Sequence, residues 1–241
     1  MTGQKLVIPF FFLTVFISAC AQSDNQKKVY SMKDLSEKTG IEMIIIDEAQ
    51  KIIKVDATRF LGQFTGSVFI DDPISSTIRQ EFPRTKTVEL QGISFLVEHD
   101  KIIELVDTLN RKFAYRNYIS FISDDSSRKD SKQTLTIIHS ADKFDILRLQ
   151  RTCGGSDIFS TDSLIIKLQE LDKKYPFDFL GVGTDWTLLR FKGDPKDYLD
   201  FAKFVDKVCP IEELTDITME AYAGQLKDVF KKSRNISMWW D

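Results

Sequence analysis

The stretch Asn235-Ile236-Ser237-Met238-Trp239-Trp240-Asp241 restricts the fold more than any other part of this chain. In an extended segment successive side chains point to opposite sides. Ile236, Met238 and Trp240 therefore share one face, and Ser237, Trp239 and Asp241 the other. Chain ends fray unless they are docked, so two adjacent tryptophans here predict a strand that closes a sheet. The segment before it sets Met219, Tyr222, Ala223, Leu226, Val229 and Phe230 on one helical stripe. One indole is expected beneath helices and the other on the opposite side of the sheet.

The same periodicities organise the rest of the second half. "QTLTIIH" reads as a strand, and "SADKFDILRLQ" as a helix opened by Ser140 or Asp142. A longer helix follows with Ser160 as N-cap and Leu164, Ile165, Leu168, Leu171 and Tyr175 along one face. "FDFLGVG" and "DWTLLRF" form a hairpin turning at Gly183-Thr184. Asp194 caps the next helix, with Pro195 at its first position and Pro210 beyond its end, both places where proline is tolerated. Lys231, Lys232 and Arg234 sit near the end of the final helix, where cations complement the helix dipole.

In the first half, "IEMIIIDEAQKIIKV" is rich in β-branched residues and reads as two strands around an Asp47-Glu48-Ala49-Gln50 turn. A short helix capped by Asp56 is expected over "DATRFLGQ", and a brief helical stretch after "DDPISS". "KTVELQGISFLVEHD" reads as two strands with a turn near Gln91-Gly92. Ile102, Ile103, Leu105, Val106, Leu109 and Phe113 then form a helical stripe with Asp100 as N-cap, followed by a strand over "YRNYISFIS". The charged "DDSSRKDSK" is the best domain boundary.

The first twenty residues carry Lys5, an apolar run from Leu6 to Ile17, and Ser18-Ala19-Cys20. That run is too short to cross a bilayer, which takes roughly 20 residues, and has the length and flanks of a secretory leader. The "ISAC" ending resembles the lipobox of bacterial lipoproteins, which implies cleavage after residue 19 and lipid on Cys20. Residues 20–32 then read as a polar tether, and the compartment as the cell envelope, outside the cytoplasm. Ala21 after the cysteine resembles lipoproteins sent to an outer membrane, where the cell has two.

The order of strand, helix, T-x-G-G turn (Thr152 to Gly155), helix, F-D-F strand, G-x-D-W strand (Gly183 to Trp186), helix ending in Cys209-Pro210, helix and Trp239-Trp240-Asp241 resembles the domain of unknown function (DUF) 4253 family of bacteria. The resemblance covers about residues 133–241. Family members tend to carry Asn-Tyr after the glycine turn, where this chain has Ser156-Asp157. The family implies an α+β fold and no activity. The expected architecture is therefore two α+β units, residues 33–132 and 133–241, with a mixed or antiparallel sheet and helices packed mainly on one face.

Composition narrows the function. With 241 residues, 42% hydrophobic and 19 Phe, the chain can bury a sizeable core. A net charge of −3 without a basic run argues against nucleic acid as partner. Two histidines, His99 and His139, leave little for a His-rich metal site, and the sequence points to no metal or other cofactor. Cys153 and Cys209 would persist as a disulfide in an oxidising compartment, or remain as buried thiols; a catalytic thiol is less favoured, because Cys153 follows a helix rather than opening one. The acidic segments "DDPISS" and "DDSSRKD" lack calcium-loop spacing. Asp185 and Asp241 on neighbouring strands, near Trp239 and His139, form either an acid–base pair or a structural one. Two classes follow. The leading one is a lipid-anchored binding or interaction module, an inhibitor or immunity-type protein included, contacting a protein or small molecule through His139, Asp185, Trp239 and Asp241. The other is an extracytoplasmic hydrolase using carboxylates near Asp185 and Asp241.

Overall fold

The computed structural model describes residues 30–55, 57, 59–65, 89–123, 132–153, 160–210 and 217–240. The leader, Cys20, Asp56, the stretch after "DDPISS", the charged segment at 124–131, Ser156-Asp157 and Asp241 lie outside the described residues.

Among these residues the chain is α+β. In order it forms α1 (Met32–Thr39), α2 (Met43–Ile53), β1 (Arg59–Thr65), β2 (Glu89–Glu98), α3 (Ile102–Phe113), β3 (Tyr118–Ser123), β4 (Lys132–His139) and α4 (Asp145–Gln150). It continues with α5 (Thr161–Lys174), β5 (Phe177–Val182), β6 (Trp186–Phe191), α6 (Tyr198–Val208), α7 (Met219–Lys232) and β7 (Asn235–Trp239). The strands make one seven-stranded sheet in the order β1-β2-β4-β3-β5-β6-β7. All pairs are antiparallel except β3 with β5.

The two expected units share this sheet and interleave in it. β4, the first strand of the second unit, lies between β2 and β3 of the first. Each unit brings its helices to one face. α1, α2 and α3 cover one side with Leu35, Ile45, Ile46, Ala49, Val106 and Leu109. α4 to α7 cover the other with Leu147, Leu168, Phe201, Leu226 and Phe230. β3 meets β5 only at Ile122↔Gly181 and Ser123↔Val182. Further back, Asn110 of α3 takes the place of a strand: its Nδ2 donates to Ser120 O (2.9 Å) and its Oδ1 accepts from Ser120 N (2.6 Å). The backbone of a central strand is satisfied there by a side chain, as a buried amide requires.

Several local expectations are corrected. Residues 41–55 form the helix α2, not two strands. Ile45, Ile46, Ala49 and Ile53 recur at helical spacing and are buried, and burial of that stripe outweighs the β preference of isoleucine. The helix expected over 56–63 gives way to β1, which pairs with β2. β2 runs unbroken through Gln91-Gly92. Gly92 serves close approach there, since a Cβ would stand 2.9 Å from Ile137 O and from Ile138 Cγ2 of β4. Three caps move: Asp100 lies in a 3₁₀ turn before α3; α4 starts after Phe144 with no side-chain cap, not at Ser140 or Asp142; and Asp197, not Asp194, caps α6 by accepting from Leu199 N (2.9 Å) and Asp200 N (3.1 Å). Ser160 caps α5 as expected, accepting from Ser163 N at 3.2 Å.

Candidate functional site

β7 forms because its even positions have a core to enter. Ile236, Met238 and Trp240 are buried under α6 and α7, while Ser237 and Trp239 are exposed on the other face, Trp239 at 45%. The terminal strand, and the split of its two indoles, agree with the sequence pattern.

Four separated segments meet at the end of the sheet where β5 turns into β6. Thr152 Oγ1 donates to Gly183 O (2.6 Å), and Cys153 N to Thr184 O (2.9 Å). These bonds fasten the residues after α4 to the hairpin turn. Trp240 N donates to Asp185 O (2.9 Å), which draws the end of β7 to the same turn. Trp240 Nε1 donates to Val208 O (2.9 Å), and Cys209 Sγ donates to Trp239 O (3.1 Å). The indole N–H thus satisfies a carbonyl in the last turn of α6, one of those left without a helical partner. Thr152-Cys153, the turn from Gly183 to Asp185, Val208-Cys209 and Trp239-Trp240 are therefore neighbours in space.

Their surface is aromatic on the α1–α3 face. Trp186 stands directly opposite Trp239 across β6 and β7. The ring of Trp186 lies over Gly181, where a Cβ would come within 2.8 Å of Cζ3 and 2.9 Å of Cη2. Four residues along β6 from Trp186, Arg190 is held by both carboxylate oxygens of Asp107 from α3 (2.6 and 2.7 Å), and its Nε donates to Asn235 Oδ1 (3.1 Å). On the opposite face, burial pushes the Tyr222 phenol up, and the Cys209 thiol and Asp206 push in the same direction. Tyr222 is therefore a neutral donor at any physiological pH.

The residues singled out in the sequence separate. Asp185 and Trp239 are at this convergence, with Cys153 exposed and Cys209 half-buried beside it. Both cysteines are thiols, without a bridge between them. Asp241 and Cys20 lie outside the described residues. His139 is at the other end of the sheet. β3 pairs with His139 at Tyr118 and with Val182 at Ser123, a separation of about 17 Å along the strand, and Asp185 lies past Val182. His139 instead stacks on Tyr118, centroids 4.8 Å apart. The expected meeting of His139 with Asp185 and Trp239 is corrected: β4 runs antiparallel to β3, so the end of β4 lies beside the start of β3. Sequence reasoning passed over Trp186, Gly181 and Arg190 as site residues. Trp186 was legible as the partner of Trp239 once both strands were proposed; the contribution of Asp107 from α3 had no local signal.

Among the described residues no group of three or more His, Cys, Asp or Glu side chains is arranged to hold a metal ion, and no helix is long and apolar enough to cross a membrane.

The sequence model of a family described as "Domain of unknown function (DUF4253)" matches residues 134–241. The second unit is thus similar to that family from within β4 to the final residue, and all four converging segments fall inside the match. No curated protein and no solved structure matches the chain.

Proposed function

We propose that this protein is a binding module of the cell envelope, tethered outside the cytoplasm by lipid on Cys20, and that it engages a protein or small-molecule partner at the convergence around Asp185, Trp186 and Trp239. Where the cell has two membranes, the tether lies in the outer one. A single observation carries the reading. Four distant segments are hydrogen-bonded together at one end of the sheet, and they present an exposed tryptophan opposite a second one instead of burying it. Exposed aromatic rings framed by polar groups are the usual anchors of recognition surfaces. The Arg190–Asp107 pair, on the same face at the other end of the β6–β7 ladder, adds fixed polar directionality. A hydrolase centred on Asp185 and Asp241 has less support, since the histidine proposed to stand beside these carboxylates lies at the far end of the sheet.

The test is site-specific photocrosslinking in the native envelope. A photoreactive residue at position 239 is expected to give one discrete adduct, absent when the same residue replaces the exposed Glu170 on α5. Identical adduct patterns at the two positions would sink the reading. Separately, Cys20→Ser is expected to abolish fatty-acid labelling and membrane retention.

A further inference from the structure

The three most exposed large apolar side chains among the described residues are Tyr115 (74%), Met43 (53%) and Ile44 (50%). Two separate segments bring them to one corner. Met43 and Ile44 open α2, off the buried stripe of Ile45, Ile46, Ala49 and Ile53. Tyr115 lies in the 3₁₀ turn Ala114–Arg116 between α3 and β3. Glu42 fastens that turn to the start of the helix. Its backbone N donates to the Tyr118 hydroxyl (3.2 Å), and its Oε2 pairs with Arg116 Nη1 (3.7 Å). The same guanidinium stands over the Tyr115 ring, 5.3 Å from its centroid. Exposed apolar residues scattered singly are ordinary, whereas a group of them marks an interaction surface.

From this corner, and from the chain that leads to it, we infer that the start of α2 and Tyr115 seat together on the lipid surface that holds the anchor. The inference rests on the lipid proposed at Cys20. Residues 21–29 separate that cysteine from Tyr30, where the described chain begins. A flexible chain of that length spans roughly 17 Å r.m.s. and at most about 35 Å. From there α1, with eight residues, carries the chain about 12 Å to the turn before α2. The corner therefore stays within reach of the bilayer, at an effective concentration that lets a weak contact persist. Its chemistry fits the boundary between headgroups and acyl chains. Tyrosine favours that depth because its ring is apolar and its hydroxyl stays wet, and attachment there scales with the apolar area buried. Arg116 is already paired with Glu42, so the seat asks for no particular headgroup charge. The contact also orients the molecule. Tyr118 and Ser123 are at opposite ends of β3, and the convergence around Asp185 lies past Ser123. A seat at the Tyr118 end turns the proposed binding surface away from the membrane.

The experiment uses the full chain, lipidated at Cys20 and carrying Cys153→Ser and Cys209→Ser, in phosphatidylcholine vesicles. A polarity-sensitive fluorophore is attached at Ile44→Cys, at Tyr115→Cys or, as control, at Glu170→Cys on the exposed side of α5. The labels at 44 and 115 are expected to shift to the blue and to lose most of their emission to a nitroxide-bearing lipid, and the label at 170 to do neither. Met43→Ser together with Ile44→Ser is expected to abolish quenching at 115 with the urea melt unchanged, because both side chains are exposed. Retention on the vesicles, and its loss with Cys20→Ser, reports the anchor separately. Labels at 44 and 115 that stay unquenched on a retained chain overturn the inference and leave the anchor standing; a chain without lipid on Cys20 removes both. Labels already blue-shifted in the lipid-free Cys20→Ser chain would mean that the chain's own residues cover the corner. A blue shift in native envelopes without quenching in vesicles would give the corner to a protein. Either result overturns the inference.

Discussion

The two faces of the sheet are filled with different chemistry. Beneath α4 to α7 the core is aromatic: Phe144, Phe177, Phe179, Phe191, Phe201 and Phe230 meet largely edge to face, and Trp240 closes the end. Beneath α1 to α3 it is aliphatic, with Ile41, Ile45, Ile46, Ile53, Ile93, Ile102 and Ile137 around Phe95, Phe113 and Tyr118. The aromatic core extends to the outermost strand, β7. The aliphatic one stops sooner: α3 reaches β6 through the Asp107–Arg190 pair, and past it Ser237 and Trp239 are exposed. The lesson is that coverage, not composition, creates the candidate surface. Two tryptophans adjacent in sequence meet opposite fates because helices cover one side of β7 and not the other.

The largest test of this picture asks whether the two faces can be separated at all. β4 has both its neighbours, β2 and β3, in the first unit, and β5 loses β3 if that unit is removed. Residues 132–241 alone are expected to show no cooperative urea transition. A cooperative melt would mean that the matched region builds its own sheet and that the interleaving is dispensable.

The next tests contrast the two indoles. Trp240→Ala empties part of the aromatic core and orphans Val208 O, and is expected to cost about 3–5 kcal/mol in a urea melt. Trp239→Ala removes a ring on the uncovered face, 45% exposed, and should cost below about 1 kcal/mol. Equal costs would erase the distinction between the faces. Removing Trp239, Trp240 and Asp241 together is expected to leave the second unit unfolded or nearly so, against a typical stability of about 5–15 kcal/mol.

Gly181→Val examines the seat of Trp186. The added methyls displace an indole already in contact with the backbone, with an expected loss of about 1–3 kcal/mol. Trp186 fluorescence should shift as the ring moves into water; an unchanged spectrum and melt would show that the seat is not tight.

The smallest expected effect lies on the aromatic side. Asp162, near the start of α5, is 9% exposed, and its Oδ2 has no hydrogen-bond partner. Burial raises its carboxyl above the usual range, and the positive charge of Arg148 opposes the rise. The folded state therefore holds this proton more tightly than the unfolded one. The associated stabilisation is present below the unfolded carboxylate pKa and is lost as pH rises through the folded value. Asp162→Asn is expected to remove that loss, so its stability relative to the parent should improve from pH 3 to pH 7. A difference independent of pH would show that the carboxyl is not perturbed.

Elements whose signal is local were legible in the chain. The stripes of α3 and α5, that of α7 apart from the exposed Val229, the Ser160 cap, the hairpin turning at Gly183-Thr184 and the alternation of β7 all arise within about ten residues, the range over which capping and periodicity act. The α+β class followed from them, as did the burial of Trp240 and the exposure of Trp239. Where a local preference met a long-range demand, the long-range one won. Isoleucines that favour strands became α2 because their helical stripe had a sheet to cover, and Gly92 became a close-packing position because β4 crosses it. Only the tertiary structure decided that β4 lies between β2 and β3, that Asn110 stands in for a strand, that His139 is remote from Asp185, and that four separated segments share one end of the sheet. Strand order depends on burying both faces of the whole sheet at once, and no window of sequence contains that constraint.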